Sequence, residues 1–296
     1  MARDHADSVY LSTWTERHWI GSIFAPGAQI LQARTRGGMI ASGLGATRQE
    51  ALARCLGETV EAAAGLRGPG RGDGSQHDGC AAGQDAATTR LRALCEAIER
   101  VEISHWWAGR RSARRVPPAW LAEHGFAQWL TQMRKGAHAR RETDLWQLEG
   151  GDREMTVMVC QTCSPMGQDP ILGFGGAPCP FDAAQHALRE ALLMEVNLLA
   201  IFAARGGYNT ANTAPIEAKI AAYKARCPAL LGDELAQMPA QRRDFVPPFT
   251  DRQAAFDHLY LEEGWMVWTC RLPDPIFRER AGMTPFMATP TGETSA

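Results

Sequence analysis

Three times along this chain a glycine-rich turn leads into a capped, alanine-rich helical pattern that carries a glutamate two to three turns in, at Glu58, Glu96 and Glu190. The first unit runs Gly43-Leu-Gly-Ala-Thr-Arg-Gln-Glu50, where Thr47 and Glu50 have capping-box spacing, and predicts a helix through about Ala64. In the second, Asp85 is an N-cap for a helix to about Trp107, with Leu91, Leu94, Cys95 and Ile98 at helical spacing. The third places Asp182 as N-cap, with Gln185 three residues on, after Gly173-Phe-Gly-Gly176, and predicts a helix through Phe202. This is a weak internal repeat without the fixed period of a solenoid.

Between these units the pattern is mixed. Trp19–Phe24 and Ala28–Arg34 alternate apolar and polar residues as an antiparallel strand pair would, and Met155–Cys160 and Trp265–Cys270 read as strands. A short helix is expected over Trp120–Lys135 and an Ala-rich one over Ile216–Ala225. Gly65–Gly83 is glycine- and charge-rich and predicts a mobile loop; 110–152 is basic and reads as a peripheral segment; the tail 283–296 reads as extended. The expectation is a single domain over 1–296 of mixed α/β (α+β) class, layered sheets and helices.

At 296 residues the chain can bury a sizeable core, and its net charge of −2 does not point to nucleic acid. No run of eighteen apolar residues and no signal-peptide pattern is present, so no membrane span and a cytoplasmic location are expected. The eight cysteines are scattered, as reduced buried thiols would be. Cys160 and Cys163 have the spacing of half a zinc site, but only Cys179 and His186 lie near and the pair is read as packed thiols.

In the first two helices a second glutamate follows at i+3, giving Glu58 with Glu61 and Glu96 with Glu99, each pair on one helix face. Like charges at that spacing repel by a few tenths of a kcal/mol unless a cation lies between them. Mg²⁺ under a nucleotide would supply that cation, since it takes hard oxygen ligands from carboxylates and phosphates. The same spacing also suits plain solvated glutamates on amphipathic helices.

Wording beyond spacing favours the first alternative. Asp78-Gly-Cys-Ala-Ala-Gly83, then Leu91-Arg-Ala-Leu-Cys-Glu-Ala-Ile-Glu-Arg-Val101 and Trp106-Trp107, resembles the YcaO family of ATP-dependent peptide-backbone-modifying enzymes. Gly43 through Glu58-Thr-Val-Glu61 and Gly173 through Ala187-Leu-Arg-Glu190 resemble that family's earlier and later motifs, in family order. The resemblance implies ATP and Mg²⁺ as cofactors, with Glu58, Glu61, Glu96 and Glu99 as metal ligands. Gln84, Arg100 and Glu190 would join them around the nucleotide. It further implies activation of backbone amides by phosphorylation, giving azolines, thioamides or amidines in a ribosomally made precursor peptide. A leader-binding partner protein, and in some systems an oxidase, accompany such enzymes, and a homo-oligomer is left open. The chain departs from the family at Ala62, where an arginine is usual, and at Gln84 and Thr88, where asparagine and glutamate are. Its Gly65–His77 stretch is short and its end lacks a Pro-x-Pro-x-Pro tail. A non-catalytic subunit that binds the precursor peptide or an active partner is therefore the second reading.

Overall fold

The three glycine-rich segments are strands, not turns, and their glycines are where a helix comes down onto the backbone. In the computed structural model, which describes residues 9–67, 79–149, 155–208, 213–230, 232–235, 238, 254–261 and 264–272, the chain runs β1 (Trp14–Ile20), β2 (Gln29–Thr35), β3 (Ile40–Gly45), α1 (Arg48–Arg67), β4 (Gly79–Gly83) and α2 (Ala86–Trp107). Next come β5 (Ala113–Arg115), α3 (Pro118–Glu123), α4 (Phe126–Arg134), β6 (Glu142–Leu148), β7 (Thr156–Cys163) and β8 (Ile171–Ala177). Helices α5 (Pro180–Glu195), α6 (Leu198–Arg205) and α7 (Ala214–Arg226) precede β9 (Ala255–Tyr260) and β10 (Met266–Arg271). The mixed α/β class expected from the sequence is what forms.

Where one domain was expected, the described residues gather into two compact units. The first is drawn from Met1–Ile20, Gln29–Val101 and Phe249–Ala296, the second from Gly21–Ala28 and Glu102–Pro248. The first unit holds two three-stranded sheets, ordered β1-β2-β3 and β4-β10-β9. Its antiparallel β1–β2 pair forms with Trp19 opposite Leu31, but β1 stops at Ile20, so Ser22–Phe24 lie outside it. Helix α1 packs Leu56, Val60 and Ala64 with Ala82 of β4 and Val267 of β10, and Ala51 and Cys55 with Leu31, Ala33 and Ala41.

The second unit is built on the antiparallel sheet β5-β6-β7-β8. Every residue of β8 is buried, the signature of a strand covered on both faces. Helix α5 lies on its glycine stripe: a Cβ on Gly173 would stand 2.2 Å from the Ala187 carbonyl oxygen, and one on Gly175 2.3 Å from that of Ala183. In the first unit Gly43 and Gly79 make the same approach, to the carbonyl oxygens of Ala51 at 2.1 Å and Ala93 at 1.9 Å. No side chain fits in those gaps, so helix and strand backbones are in direct contact.

Several local expectations change. Thr47 and Asp85 do cap, accepting the backbone N–H of Glu50 at 3.2 Å and of Thr88 at 2.8 Å. Asp182 does not: α5 starts two residues earlier, with Pro180 in its first turn, whose missing N–H needs no cap, and Cys179 as N-cap. The helix predicted through Phe202 is two helices that break after Glu195, and that over Trp120–Lys135 splits at Gly125, whose φ of 72° is left-handed. The segment 110–152 is not peripheral, because it supplies β5 and β6 to the sheet of the second unit. Of the Gly65–Gly83 loop, 79–83 form β4 and 68–78 lie outside the described residues, as does the tail 283–296. Cys160 and Cys163 sit three residues apart on one strand and so point to opposite faces. That geometry excludes a shared metal.

Candidate active site in the first unit

β4 is an edge strand, and an edge strand leaves backbone donors and acceptors without a ladder partner. Side chains from the two flanking helices meet that need. Glu61 of α1 accepts the Ala82 N–H at 2.9 Å, and Glu96 of α2 accepts the Cys80 N–H at 3.0 Å. Arg92 of α2 donates to the Ala82 carbonyl at 3.1 Å, and Arg100 pairs with the other oxygen of Glu96. Because Gly79 sits against Ala93 and Ala97, α2 can neither slide nor roll, and this fixes the height of Glu96 along the strand.

The carboxylates are close enough to act on one another. Glu61 is pushed well above the ordinary carboxylate range, first by burial and then by the charges of Glu58 and Glu96; the Ala82 N–H and Arg92 only partly oppose this. Burial raises Glu96 as well, against Arg100, the Cys80 N–H and Arg92. The Cys80 thiol between them is driven up by burial, Glu61 and Glu96, and the Cys55 thiol to about 12 by burial and Glu58. Yet the Glu96 and Arg100 side chains keep 30% and 27% of their surface exposed, so solvent still reaches this pair. Glu61 and Glu96 are thus partly dehydrated near the exposed Glu58, and Arg92 and Arg100 offset their charge only in part.

That donor set fits Mg²⁺. Among the described residues no three His, Cys, Asp or Glu side chains are gathered closely enough to enclose a metal by themselves. Mg²⁺ does not ask for that, since it is commonly held by one or two carboxylates together with nucleotide phosphates and water.

Of the residues the sequence singles out, Glu58, Glu61, Glu96 and Arg100 come together in the first unit. Glu99, one turn from Cys95, raises that thiol to about 12 after burial. Gln84 is exposed just after β4. Glu190 belongs to the second unit, where it accepts the Phe174 N–H of β8 at 2.5 Å and acts on Lys219 and Tyr223. Both Glu96 and Glu190 reach the strand residue sixteen positions earlier, so the repeat is structural. Two residues that sequence reasoning passed over stand out, Arg54 and Arg92. Each donates to the carbonyl ten positions earlier, of Leu44 at 3.3 Å and Ala82 at 3.1 Å. That shared offset was available in the sequence once the repeat was aligned.

Among the described residues no helix is long and apolar enough to cross a membrane. No curated protein matches this chain in sequence. Similar solved structures do exist. YcaO from Methanopyrus kandleri, bound with AMPPCP and Mg²⁺, aligns with a TM-score of 0.61 at 16% identity over 92% of this chain and 90% of that one. A heterocyclase in complex with substrate and cofactor aligns at 0.64 and 16% identity over 91% of this chain, which spans 52% of its length. The E. coli microcin synthetase McbBCD complex with pro-MccB17 bound aligns at 0.58 and 10% identity, covering 90% and 89%. At such identities these likenesses speak for the fold. The family model described as YcaO cyclodehydratase, ATP- and Mg²⁺-binding, matches residues 67–262, two thirds of the chain. Motif order, fold and family match agree, and the chain belongs to the YcaO family.

Proposed function

We propose that this chain activates backbone amides of a ribosomally made precursor peptide at the expense of ATP. The outcome is cyclodehydration of Cys, Ser or Thr to azolines, or the related formation of thioamides or amidines. The observation that carries the reading is the gathering of carboxylates at the β4 edge, where Glu61 and Glu96 accept strand N–H groups and Glu58 and Glu96 raise the proton affinity of Glu61. A site of that kind is relieved by a divalent cation, and a nucleotide brings both the cation and its phosphates. Bound MgATP supplies the phosphoryl group that turns an amide oxygen into a leaving group.

Within the first unit, one or two at a time of Glu58, Glu61, Glu96 and Glu99 would hold the metal together with phosphates and water, and Gln84 and Arg100 would join them around the nucleotide. The Ala82 and Cys80 N–H groups aim Glu61 and Glu96, so the carboxylates are set before anything binds. Arg100 opposes the upward push that burial gives Glu96. A leader-binding partner protein, and an oxidase where azoles are the end product, would complete such a system.

Calorimetric titration with ATP and Mg²⁺ tests the site. Micromolar, magnesium-dependent binding that Glu99→Gln abolishes is the expected result; unchanged affinity in that variant would sink the metal assignment. One observation favours a second reading, a non-catalytic subunit that binds the precursor or an active partner. Thr88, where a family glutamate is usual, is exposed, and its backbone N–H is spent on the Asp85 cap. Nucleotide binding without phosphate release in the presence of a processed precursor and its partner would establish that second reading.

A further inference from the structure

The carboxylates account for a cation, but the same strand edges also carry a matched pair of cations. Arg54 of α1 and Arg92 of α2 occupy equivalent places in the first two strand–helix units, each tied through one guanidinium nitrogen to a carbonyl of its edge strand, Leu44 of β3 or Ala82 of β4. A guanidinium has five N–H donors in a fixed fork, so a single anchoring bond orients the group and leaves most donors unspent. Arg92 is exposed, although Ala82, which it touches, also receives Glu61. Among the described residues Arg54 makes an ion pair with Glu50 at 3.9 Å, a distance that leaves the pair loose. The two arginines are also near each other: the Arg54 guanidinium is held below its ordinary value by burial and by Arg92, against the opposing charge of Glu50. Both guanidinium groups thus present donors beside the two edge strands, where an anion would relieve their mutual repulsion in addition to the carboxylates already near them.

We propose that Arg54 and Arg92 form a phosphate clamp, a pair of guanidinium groups that grip the polyphosphate of the nucleotide beside the carboxylates that hold its metal. This rests on the nucleotide reading above and adds to it the side that takes the anion. The site is then bipolar: acidic side chains face the cation and basic ones the phosphates, all hung from the backbone groups of β3 and β4. Arginine suits this work because its fork matches two phosphate oxygens at once.

The test is titration of the full chain, and of its Arg54→Gln, Arg92→Gln and doubly substituted variants, with ATP and with tripolyphosphate, both with Mg²⁺. Each single substitution is expected to weaken both ligands about tenfold and the pair by more, in variants whose thermal unfolding shows them to be folded. The dependence of affinity on ionic strength should become shallower in the double variant, a change that loss of a merely structural contact would not produce. If the unsubstituted protein binds both ligands and the double variant binds them equally well, the clamp is wrong and the nucleotide reading stands. If the unsubstituted protein binds neither, both fall together. Should Arg54→Gln prove unstable, the exposed Arg92→Gln alone decides, because a folded variant with unaltered affinity overturns the proposal.

Discussion

In the second unit one fully buried carboxylate, Glu195, meets two buried arginines; in the first, Glu61 and Glu96 meet other carboxylates. Glu195 receives Arg134 through both its oxygens, at 2.6 and 3.0 Å, and Arg141 at 3.2 Å. The spare donors of those arginines go to Phe24 O, Thr143 Oγ1, Thr162 and the Asp169 carbonyl. Each charge there has a counter-charge inside the protein and the three side chains keep 2% or less of their surface exposed, which is how a structural ion network is built, although the Arg134 Nε is left without a hydrogen bond. At the β4 edge Glu58 and Glu96 push Glu61 upward, and the Glu96 and Arg100 side chains stay partly exposed. Buried ions that satisfy one another hold a fold together, whereas ions that strain one another where solvent reaches them are the kind that cluster at functional sites.

The contrast is sharpest under substitution. Glu195→Gln should be the most damaging single change considered, costing about 3–5 kcal/mol by leaving two guanidinium groups buried without a counter-charge. Urea unfolding would measure it, and a loss below about 1 kcal/mol would mean that the network is not structural.

Next in size come Gly79→Ala and Gly173→Ala, equivalent changes in the two units. Each forces a methyl group onto a helix carbonyl, at 1.9 and 2.2 Å, and should cost about 1–3 kcal/mol. Unaltered midpoints in both would refute the backbone contact.

Glu61→Gln should act in the opposite sense on stability. It keeps an acceptor for the Ala82 N–H and removes a charge that burial and its neighbours disfavour, so the thermal midpoint at neutral pH should rise by a few degrees while Mg²⁺-dependent nucleotide binding is lost. A variant that lost stability and kept binding would reverse the comparison.

The smallest expected effect is the pH dependence. Glu61 and Glu96 have folded-state proton affinities raised above the ordinary value of 4.5, so their contribution is stabilising at acid pH and is lost as pH rises through the raised values. Nucleotide-free protein should therefore lose midpoint temperature from mildly acidic to neutral pH, and Mg²⁺ with ATP should restore it. Glu61→Gln should flatten that profile, which differential scanning calorimetry can follow.

What the sequence disclosed follows from the range of the forces involved. Thr47 and Asp85 were legible as caps because a cap is a contact across three residues. The acidic pairs were legible because helix geometry alone puts i and i+3 on one face. The glycines of β3, β4 and β8 were read as turns, since glycine's freedom in φ is its commonest use; their service here is to admit a helix backbone, which only the tertiary fold requires. The Arg134–Glu195–Arg141 network was invisible because its members stand 61 and 54 residues apart, with no local pattern linking them. Family resemblance pointed to Glu58, Glu61 and Glu96, and did not point to Arg54 and Arg92, which stand outside the quoted glutamate motifs.

The backbone contact at Gly79 bears on how such a chain can change over time. Where a catalytic side chain is aimed by its neighbours' side chains, drift in those neighbours blurs its aim. Here the height of Glu96 is indexed by peptide groups touching peptide groups, and peptide groups are the same in every sequence. Only a few small residues have to be kept for the carboxylate to stay in place. The rest of the surface and much of the core are released to vary, and a shared architecture can outlast nearly all of the shared letters.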